Sequence, residues 1–284
     1  MELTYWYMFP AAVLIAATAN GAGVGGATFF SPLFIVVLSL DPKVAIGTAL
    51  ITEVFGFSSG VVAHARARAI DWRTARTLVL AAVPAAVVGS LVAGLVDATV
   101  LKLVLGVGLT AVAIAFLRHR LAESEDLAIA RGEGIVEPYT TRHIVTRDGH
   151  DFEYRVCRVR ESRLFSGIGG LFVGLISTGL GEANSYVLIE RCRIPSRVTV
   201  ATSVVVVAAT ALAASVVHLV EFVNEGGDEL STIASIVVFT IPGVLIGAQL
   251  GPEVVRRLKE QTLIRGLGVL FLAVAGITIV EALA

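Results

Sequence analysis

Long uncharged stretches, separated by short charged loops, make up most of the chain. The first runs from Tyr5 to Leu40 and contains no charged residue. Further uncharged or nearly uncharged stretches follow at Val44–Ala63, Thr77–Val96, Leu103–Leu117, Leu164–Gly181, Val198–Val217, Leu230–Gly251 and Gly266–Val280. Each is close to the ~20 residues that a helix needs to cross a bilayer. The pattern predicts an all-α polytopic membrane protein.

Glycines interrupt two of these stretches. Residues 20–26 read NGAGVGG, and residues 179–182 read GLGE. Non-helical backbone at membrane depth persists only where it is buried in protein or lines a water-filled cavity. The helices that restart after the breaks, predicted at Ala27 and Ala183, would direct free N–H groups and positive dipole ends into such a cavity. Two converging helix ends of this kind predict a secondary transporter for an anion.

The two halves of the chain resemble each other. An alignment pairs Lys43 with Arg197, Thr48 with Thr202 and His64 with His218, and it places the GVGGAT motif at Gly23 on the GLGEAN motif at Gly179. The duplication repeats the break, because each half begins with an apolar run interrupted by glycines.

Charge placement orients the halves. Arginine-rich segments lie at Arg66–Arg76, on both flanks of residues 118–163, at Arg191–Arg197 and at Arg256–Lys259, whereas Glu221–Glu229 is acidic. The positive-inside rule places the basic segments in the cytoplasm. If each of the eight apolar stretches crossed the membrane once, the basic segments at Arg66–Arg76 and Arg191–Arg197 would lie on opposite faces. The conflict disappears if each broken run forms a hairpin, re-entrant or of two full crossings. We therefore expect two inverted repeats in the cell membrane, each a glycine-broken hairpin followed by three transmembrane helices.

A charged insert separates the repeats. The predicted organisation is a first transmembrane repeat at 1–117, a cytoplasmic insert at 118–163 and a second transmembrane repeat at 164–284. Within the insert, HIVTRDGHDFEYRV alternates apolar residues around Asp148-Gly149, which predicts a small β-hairpin. The neighbouring LAESEDLAIARGE is compatible with a short helix.

Composition agrees with a membrane-embedded protein. The chain has 284 residues, 56% of them hydrophobic, and its mean hydropathy is +0.84. The net charge of −1 gives no footprint for a nucleic-acid partner. The first eight residues carry no Lys or Arg, so we expect the N-terminal segment to be retained rather than cleaved as a signal peptide.

The two cysteines match no metal-ligand spacing. Cys157 and Cys192 lie in charged surroundings, and we expect free thiols facing a reducing compartment. The sequence predicts neither a metal site nor a cofactor.

Several motifs in fixed order resemble a known family. GAGVGG is followed by Pro32, by AIGTAL at Ala45, by the basic loop with ARAIDW and by a degenerate second copy after the insert. This order resembles the TauE/SafE family of sulfite exporters over both membrane halves. The resemblance implies a transporter of sulfite, sulfonates or related small sulfur-containing anions. The second copy departs from it by carrying Glu182 where the first has Gly26, and the insert has no counterpart in the family pattern.

The candidate site residues fall into three groups. The predicted substrate-binding residues are Asn20, Gly21, Gly23, Gly25, Gly26, Thr48, Gly179, Gly181, Asn184 and Thr202. Glu182 and Glu53 are predicted to couple transport to protons, since a carboxyl group in a membrane helix is costly and rare. Lys43 and Arg197 are candidates for anion recruitment.

Structural explanations compete with these assignments. Glycines also allow close helix packing, the role we assign to Gly89 and Gly247. Thr48 and Thr202 are as well explained by hydrogen bonds to the preceding helical turn. Lys43 and Arg197 are suited to headgroup anchoring, and Glu53 to a buried, protonated packing group.

Two other functions remain open at this level. An anion channel would use the same site without coupled flux. The other function is that of an intramembrane serine protease, because GFSSG at Gly56 fits the G-x-S-x-G pattern of hydrolases, with Ser58 as nucleophile and His218 as base. The motif lies in a predicted membrane helix, however, rather than in a strand–turn–helix elbow. The oligomeric state is also open.

Overall fold

The structure is a computed structural model that describes residues 5–22, 26–118, 140–156, 159–225, 228–257 and 260–283. The described part is helical apart from one two-stranded sheet. The helices and strands are α1 (Met8–Ala22), α2 (Ala27–Leu38), α3 (Pro42–Arg66), α4 (Trp72–Leu95), α5 (Ala98–Arg118), β1 (Thr140–Val145), β2 (Asp151–Val156), α6 (Val159–Ile176), α7 (Leu180–Ser185), α8 (Ser196–Glu225), α9 (Asp228–Arg257) and α10 (Glu260–Leu283). A π-helical turn, Tyr186–Arg191, follows α7. The predicted all-α class with a small β-hairpin is confirmed.

Within the described residues, four helices are long and apolar enough to cross a membrane. These are α3, α4, Ser196–Asn224 of α8 and Leu230–Leu250 of α9. Shorter apolar segments occur in α1, α2, α5 and α10. At 1.5 Å per residue, α1 and α2 extend only about 22 and 18 Å, less than the thickness of a hydrocarbon core. The chain is therefore a multi-pass membrane protein whose first apolar run is broken.

Two of the long helices begin at aspartate caps. The side chain of Asp41 accepts from Lys43 N at the start of α3, where Pro42 occupies the first turn. The side chain of Asp71 accepts from Arg73 N and Thr74 N at the start of α4. Both caps satisfy amides that have no partner within the helix.

The most extensive helix contacts occur in both directions between the halves: each of them has a counterpart between the equivalent helices of the opposite halves. α1 packs on α9 and α6 on α4, while α3 packs on α9 and α4 on α8. Glycines bring the first two pairs close together. A Cβ added at Gly247 would lie 2.3 Å from Val13 O, and one added at Gly89 would lie 2.1 Å from Leu171 O. These two glycines therefore pack helices, as predicted.

The equivalent helices α3 and α8 run antiparallel. Near the start of α3, Gly47 faces Phe222 and His218 towards the end of α8. Just beyond the end of α3, Asp71 N donates to Thr202 Oγ1 near the start of α8 at 3.1 Å. Antiparallel packing of equivalent helices supports the predicted inverted repeat, which stays a prediction.

The insert contains the predicted β-hairpin. β1 and β2 pair antiparallel with Arg142 opposite Tyr154, and Gly149 in the connecting turn has φ +85°. The hairpin rests on the transmembrane helices, because Arg147 N donates to Ala67 O at 3.0 Å and Arg197 Nη1 donates to Asp148 Oδ2 at 2.8 Å. We call this end of the bundle, with the hairpin, the α3–α4 loop and the start of α8, the hairpin face.

One sequence prediction in this region is wrong. Cys192 is disulfide-bonded, not a free thiol. It directly follows the π-helical turn, where its N–H donates to Val187 O at 3.0 Å, and it is buried rather than facing solvent. Charged neighbours in the sequence had suggested an exposed loop thiol. Cys157 and the predicted short helix before the hairpin lie outside the described residues.

Candidate functional site

The first break lies between α1 and α2. Gly21 falls in the last turn of α1, whereas Gly23 and Gly25 lie outside the described residues. Helix α2 begins at Ala27, as predicted. Gly26 precedes it with a helical φ of −63°, and a Cβ added there would meet Phe57 at 3.6 Å and Ala19 at 3.9 Å. Gly26 thus sits against α3 and α1.

The second break is shorter and more sharply turned. After α6 ends at Ile176, Ser177 has φ +59° and Gly179 has φ +106°, both in the left-handed region. Helix α7 then begins at Leu180, so the predicted restart at Ala183 is wrong by one turn. The turn at Gly179 completes the reversal, and Gly181 and Glu182 lie inside the helix. A glycine in a short helix cannot be distinguished by sequence from a glycine in a break.

Hydroxyl side chains join the two breaks. Thr28 Oγ1 at the start of α2 lies 2.8 Å from Thr178 Oγ1, and Ser31 Oγ is hydrogen-bonded to Ser177 Oγ. All four residues are buried. None of the four was predicted from the sequence, although hydroxyl residues directly beside glycine breaks in an apolar run were the available signal. The breaks of the two halves therefore meet inside the protein.

The carboxyl group of Glu53 reaches the first break from α3. Glu53 Oε1 accepts from Ala27 N at 3.1 Å, and the neighbouring amide of Gly26 also faces the carboxyl group. The residue is 2% exposed. Its second oxygen, Oε2, is buried without a hydrogen-bond partner among the described residues. Glu53 thus occupies the N-terminus of α2, where an anion was predicted.

Glu182 supplies a second carboxyl group from the other half. Both of its carboxyl oxygens are buried and have no partner with hydrogen-bond geometry in the described part of the chain, although the amide of Gly179 lies near them. The charges of Glu182 and Glu53 are close enough to interact. The structure therefore brings the two predicted proton-coupling residues to the same region.

The other charged or titratable residues on the helices around this pair lie towards helix ends. Helices α1 and α2 contain none. The others are Lys43, His64 and Arg66 on α3, Lys102 and Arg118 on α5, Arg160, Glu161 and Arg163 on α6, Tyr186, Glu190 and Arg191 in the π-helical turn, Arg197, His218, Glu221 and Glu225 on α8, Asp228, Glu229, Glu253, Arg256 and Arg257 on α9, and Glu260, Arg265 and Glu281 on α10. Across the described residues, no lysine or arginine is bonded to Glu53 or Glu182.

The two predicted asparagines flank the breaks and are buried. Asn20 Nδ2 donates to Ala16 O at 3.1 Å, while its Oδ1 has no partner among the described residues and lies over Gly60 of α3. Asn184 in α7 makes a long contact of 3.5 Å with Ser203 Oγ of α8. Both amides retain hydrogen-bonding capacity beside the breaks.

The two predicted threonines lie apart from the breaks. Thr48 Oγ1 donates to Val44 O at 2.7 Å, which is the back-bonding explanation. Thr202 Oγ1 accepts from Asp71 N at the hairpin face. Their role in substrate binding stays a prediction, and the structure brings neither to Glu53.

The two candidate recruitment cations are engaged by protein groups at opposite ends of the bundle. Lys43 Nζ donates to Gly94 O at 2.7 Å beside a cavity that Asp97 and Glu221 also line. Arg197 donates to Asp148 at the hairpin face. Each stands at one end of the bundle, as expected for equivalent residues of inverted halves.

The structure does not assemble Ser58 and His218 as a nucleophile–base pair. Ser58 is exposed on α3. His218 is buried, with Nε2 3.2 Å from Gly174 O, and it faces Gly47, which lies about 16 Å from Ser58 along α3 at 1.5 Å per residue. His218 is 1% exposed.

Comparison with known proteins points to one family. The family model "Sulfite exporter TauE/SafE" matches residues 8–278. The chain is 26% identical to "Probable membrane transporter protein YjnA" of Bacillus subtilis (strain 168), over 85% of this chain and 88% of that protein. It is 20% identical to "Probable membrane transporter protein YunE" of the same organism, over 88% of this chain and 89% of that protein. No solved structure matches significantly.

Proposed function

The chain belongs to the TauE/SafE family of sulfite exporters, and we propose that it is a secondary transporter moving small sulfur-containing anions, such as sulfite or sulfonates, across the cell membrane. The observation that carries the proposal is the meeting of the two broken segments. Thr28 from the first half bonds to Thr178 from the second, and both are buried. Secondary transporters bind their substrates where broken helices of two repeats meet.

The groups at this meeting point suit an oxyanion. The amides at Gly26 and Ala27 face the break with the positive end of the α2 dipole. Hydroxyl groups of Thr28 and Thr178 and the amide group of Asn184 add neutral donors. Neutral donors can bind an anion and still release it readily, whereas a fixed cation would bind the anion strongly and slow its release.

Glu182 and Glu53 couple the anion to protons in this proposal. Two ionised carboxylates, buried close together and without a cation, would repel each other and a bound anion. A proton on Glu182 removes one negative charge when the anion arrives, so the anion and the proton cross together. Binding of either one then promotes binding of the other by thermodynamic reciprocity.

The hairpin face is cytoplasmic in this proposal. The α3–α4 loop and the segment Arg191–Arg197 are both arginine-rich and both lie at this face. The disulfide of Cys192 at the same face is the observation that opposes this orientation, because cytosolic disulfides are rare. We base the proposed orientation on the arginines, because arginine-rich segments from both halves of the chain lie at this face.

Anion binding to purified protein tests the site. We expect sulfite, thiosulfate or a small sulfonate to bind more tightly than chloride, with sulfate as an additional comparison. Gly179→Ala should lower the affinity for the preferred anion by about ten-fold or more, because an L-residue is strained by roughly 1–2 kcal/mol at φ +106° and must shift the break. Equal affinity for all anions, or none for any, would contradict a selective oxyanion site.

Gly149→Ala is the matched control for this variant. Gly149 also has a positive φ, +85°, with nothing within 4 Å of an added Cβ, and it lies in the hairpin turn. The two variants therefore introduce similar backbone strain at different places. Gly89→Ala is unsuitable as a control, because its Cβ would clash with Leu171 O. A similar loss of affinity in both variants would mean that Gly179→Ala weakens anion binding through a general folding defect rather than through a change at the site.

Proton coupling is tested by Glu182→Gln in proteoliposomes. Glutamine imitates the protonated carboxyl group, so we expect anion binding to persist while uptake loses its response to an imposed proton gradient. Glu153→Gln, which neutralises an exposed carboxylate in the hairpin, should respond as the parent does. If Glu182→Gln follows the gradient like the parent, Glu182 does not couple transport. If the parent itself ignores the gradient and its flux does not saturate, an anion channel is the better description.

A further inference from the structure

The carboxyl group of Glu53 lies where the proposed function places the substrate. Its Oε1 accepts from Ala27 N, the first amide of α2, and the Gly26 amide faces the same group. A sulfur oxyanion would present the same chemistry at this point, namely negatively charged oxygen accepting from backbone N–H groups. The two occupants cannot use these donors at the same time.

The geometry of Glu53 differs from that of an ordinary helix cap. A capping side chain usually belongs to the residue that begins the helix, but that residue is Gly26, which has none. Glu53 arrives instead from a different helix. Its Oε2 is buried with no hydrogen-bond partner among the described residues, and a buried unpaired oxygen is costly. This carboxyl group is therefore held in place by few bonds.

We propose that Glu53 is an exchangeable occupant of the anion site, which fills the N-terminus of α2 when no substrate is bound and leaves it when a sulfur oxyanion binds. This inference rests on the proposed function and adds that the Glu53 carboxylate competes with the substrate for the same backbone amides. The displaced carboxylate takes a proton from the aqueous phase, because no lysine or arginine among the described residues is bonded to it and the bound anion lies nearby.

The exchange gives the site two properties. A solute must carry negatively charged oxygen to compete with Glu53, which favours oxyanions over neutral compounds. The return of the carboxylate after release of the substrate again satisfies the Ala27 amide, so the empty site does not leave its first donor unpaired.

Binding of sulfite to purified Glu53→Gln tests the exchange. Glutamine keeps the size of the side chain and an oxygen that can accept from Ala27 N, but it lacks the charge. Removing a charged competitor from a helix N-terminus should tighten sulfite binding by about ten-fold. Ser58→Ala, an exposed position on the same helix, should bind sulfite like the parent.

Formate provides a readout that a merely structural role would not change. In Glu53→Ala the place of the carboxylate is vacated, so formate should occupy it and compete with sulfite, whereas formate should not compete in the parent. Size-exclusion chromatography and thermal unfolding establish that each variant is folded. If Glu53→Ala does not fold, the affinity of Glu53→Gln alone decides.

The outcomes separate the two proposals. Tighter binding in Glu53→Gln, with formate competition confined to Glu53→Ala, supports the exchange. In a parent that binds sulfite, any of three results overturns the exchange and leaves the proposed transporter intact: unchanged or weaker binding in Glu53→Gln, formate competition in the parent, or no formate competition in a folded Glu53→Ala. Absence of sulfur-oxyanion binding in the parent and in every variant overturns the proposed function, and the exchange with it.

Discussion

Asp71 and Glu53 are both buried carboxyl groups at helix N-termini, yet their surroundings differ. Asp71 Oδ1 accepts from Arg142 Nη1 at 3.1 Å and from two amides of α4, and Oδ2 accepts from Tyr154 OH at 2.9 Å and from Thr74 Oγ1 at 2.7 Å. Glu53 accepts one hydrogen bond, from Ala27 N. Asp71 is bonded to a cation and to several further donors, whereas Glu53 is bonded to a single backbone amide.

This difference separates the structural role of Asp71 from the functional role that we propose for Glu53. The partners of Asp71 come from the helix that it caps and from the β-hairpin, so the residue joins the insert to the transmembrane helices. Burial and the nearby charge of Asp71 raise the pKa of Tyr154, which keeps the phenol protonated as a donor. Buried polar groups that lack partners reduce stability and are retained where function requires them.

The comparison extends to the two halves of the chain. The alignment that pairs Thr48 with Thr202 places Glu53 opposite Val207, and the alignment of the breaks places Glu182 opposite Gly26. Each half thus contributes one carboxyl group from a position where the other half has none. In the predicted repeat, both halves therefore contain the break, whereas the carboxyl group occupies a different position in each half.

The largest effect on stability is expected from Asp71→Ala. This change leaves Arg142, whose side chain is 19% exposed, without its carboxylate and leaves Tyr154 OH without an acceptor. Breaking a buried pair in this way should destabilise the docked hairpin by about 3 kcal/mol. Thermal unfolding in detergent and hydrogen exchange of the β1 and β2 amides measure the loss.

Two variants serve as references for Asp71→Ala. Tyr154→Phe removes one hydrogen bond to the same carboxylate and should cost about 1 kcal/mol. Glu53→Gln should cost less than Asp71→Ala, because it leaves no cation unpaired. If Glu53→Gln destabilises the protein as much as Asp71→Ala does, Glu53 is a structural cap and the comparison fails.

The sequence was sufficient to predict the features that depend on the local pattern of residues. The apolar stretches, the Asp148-Gly149 hairpin and the break before Ala27 all follow from composition and spacing within a few residues. Such features depend on neighbours in the chain, so a single sequence contains the necessary information.

Contacts between segments distant in the chain could not be predicted from local sequence pattern. The bond from Ala27 N to Glu53 and the Thr28–Thr178 contact join helices that only the folded packing brings together. The restart at Leu180 was missed for a similar reason, since the positive φ of Gly179 is a property of the folded turn. The disulfide of Cys192 likewise depends on which segments meet.

The smallest effect on stability is expected at Asp148, an exposed carboxylate that can be compared with the buried carboxyl groups of Asp71 and Glu53. Hydrogen bonds from Arg197 and then Thr146 hold the pKa of Asp148 well below its usual range. Since the folded pKa is lowered, the stabilisation is present above the ordinary value of about 3.9 and is lost as pH falls through the lowered folded value. Screening by solvent keeps the effect small.

Hydrogen exchange of the Arg147 amide measures this effect, because that amide donates to Ala67 O beside Asp148. The comparison is made below about pH 5, where a carboxyl group with an ordinary pKa begins to take up protons. The parent should keep its protection factor down to about pH 4 and lose part of it at lower pH. Asp148→Asn should start slightly lower and show no such step. An equal step in both proteins would show that Asp148 is not its source.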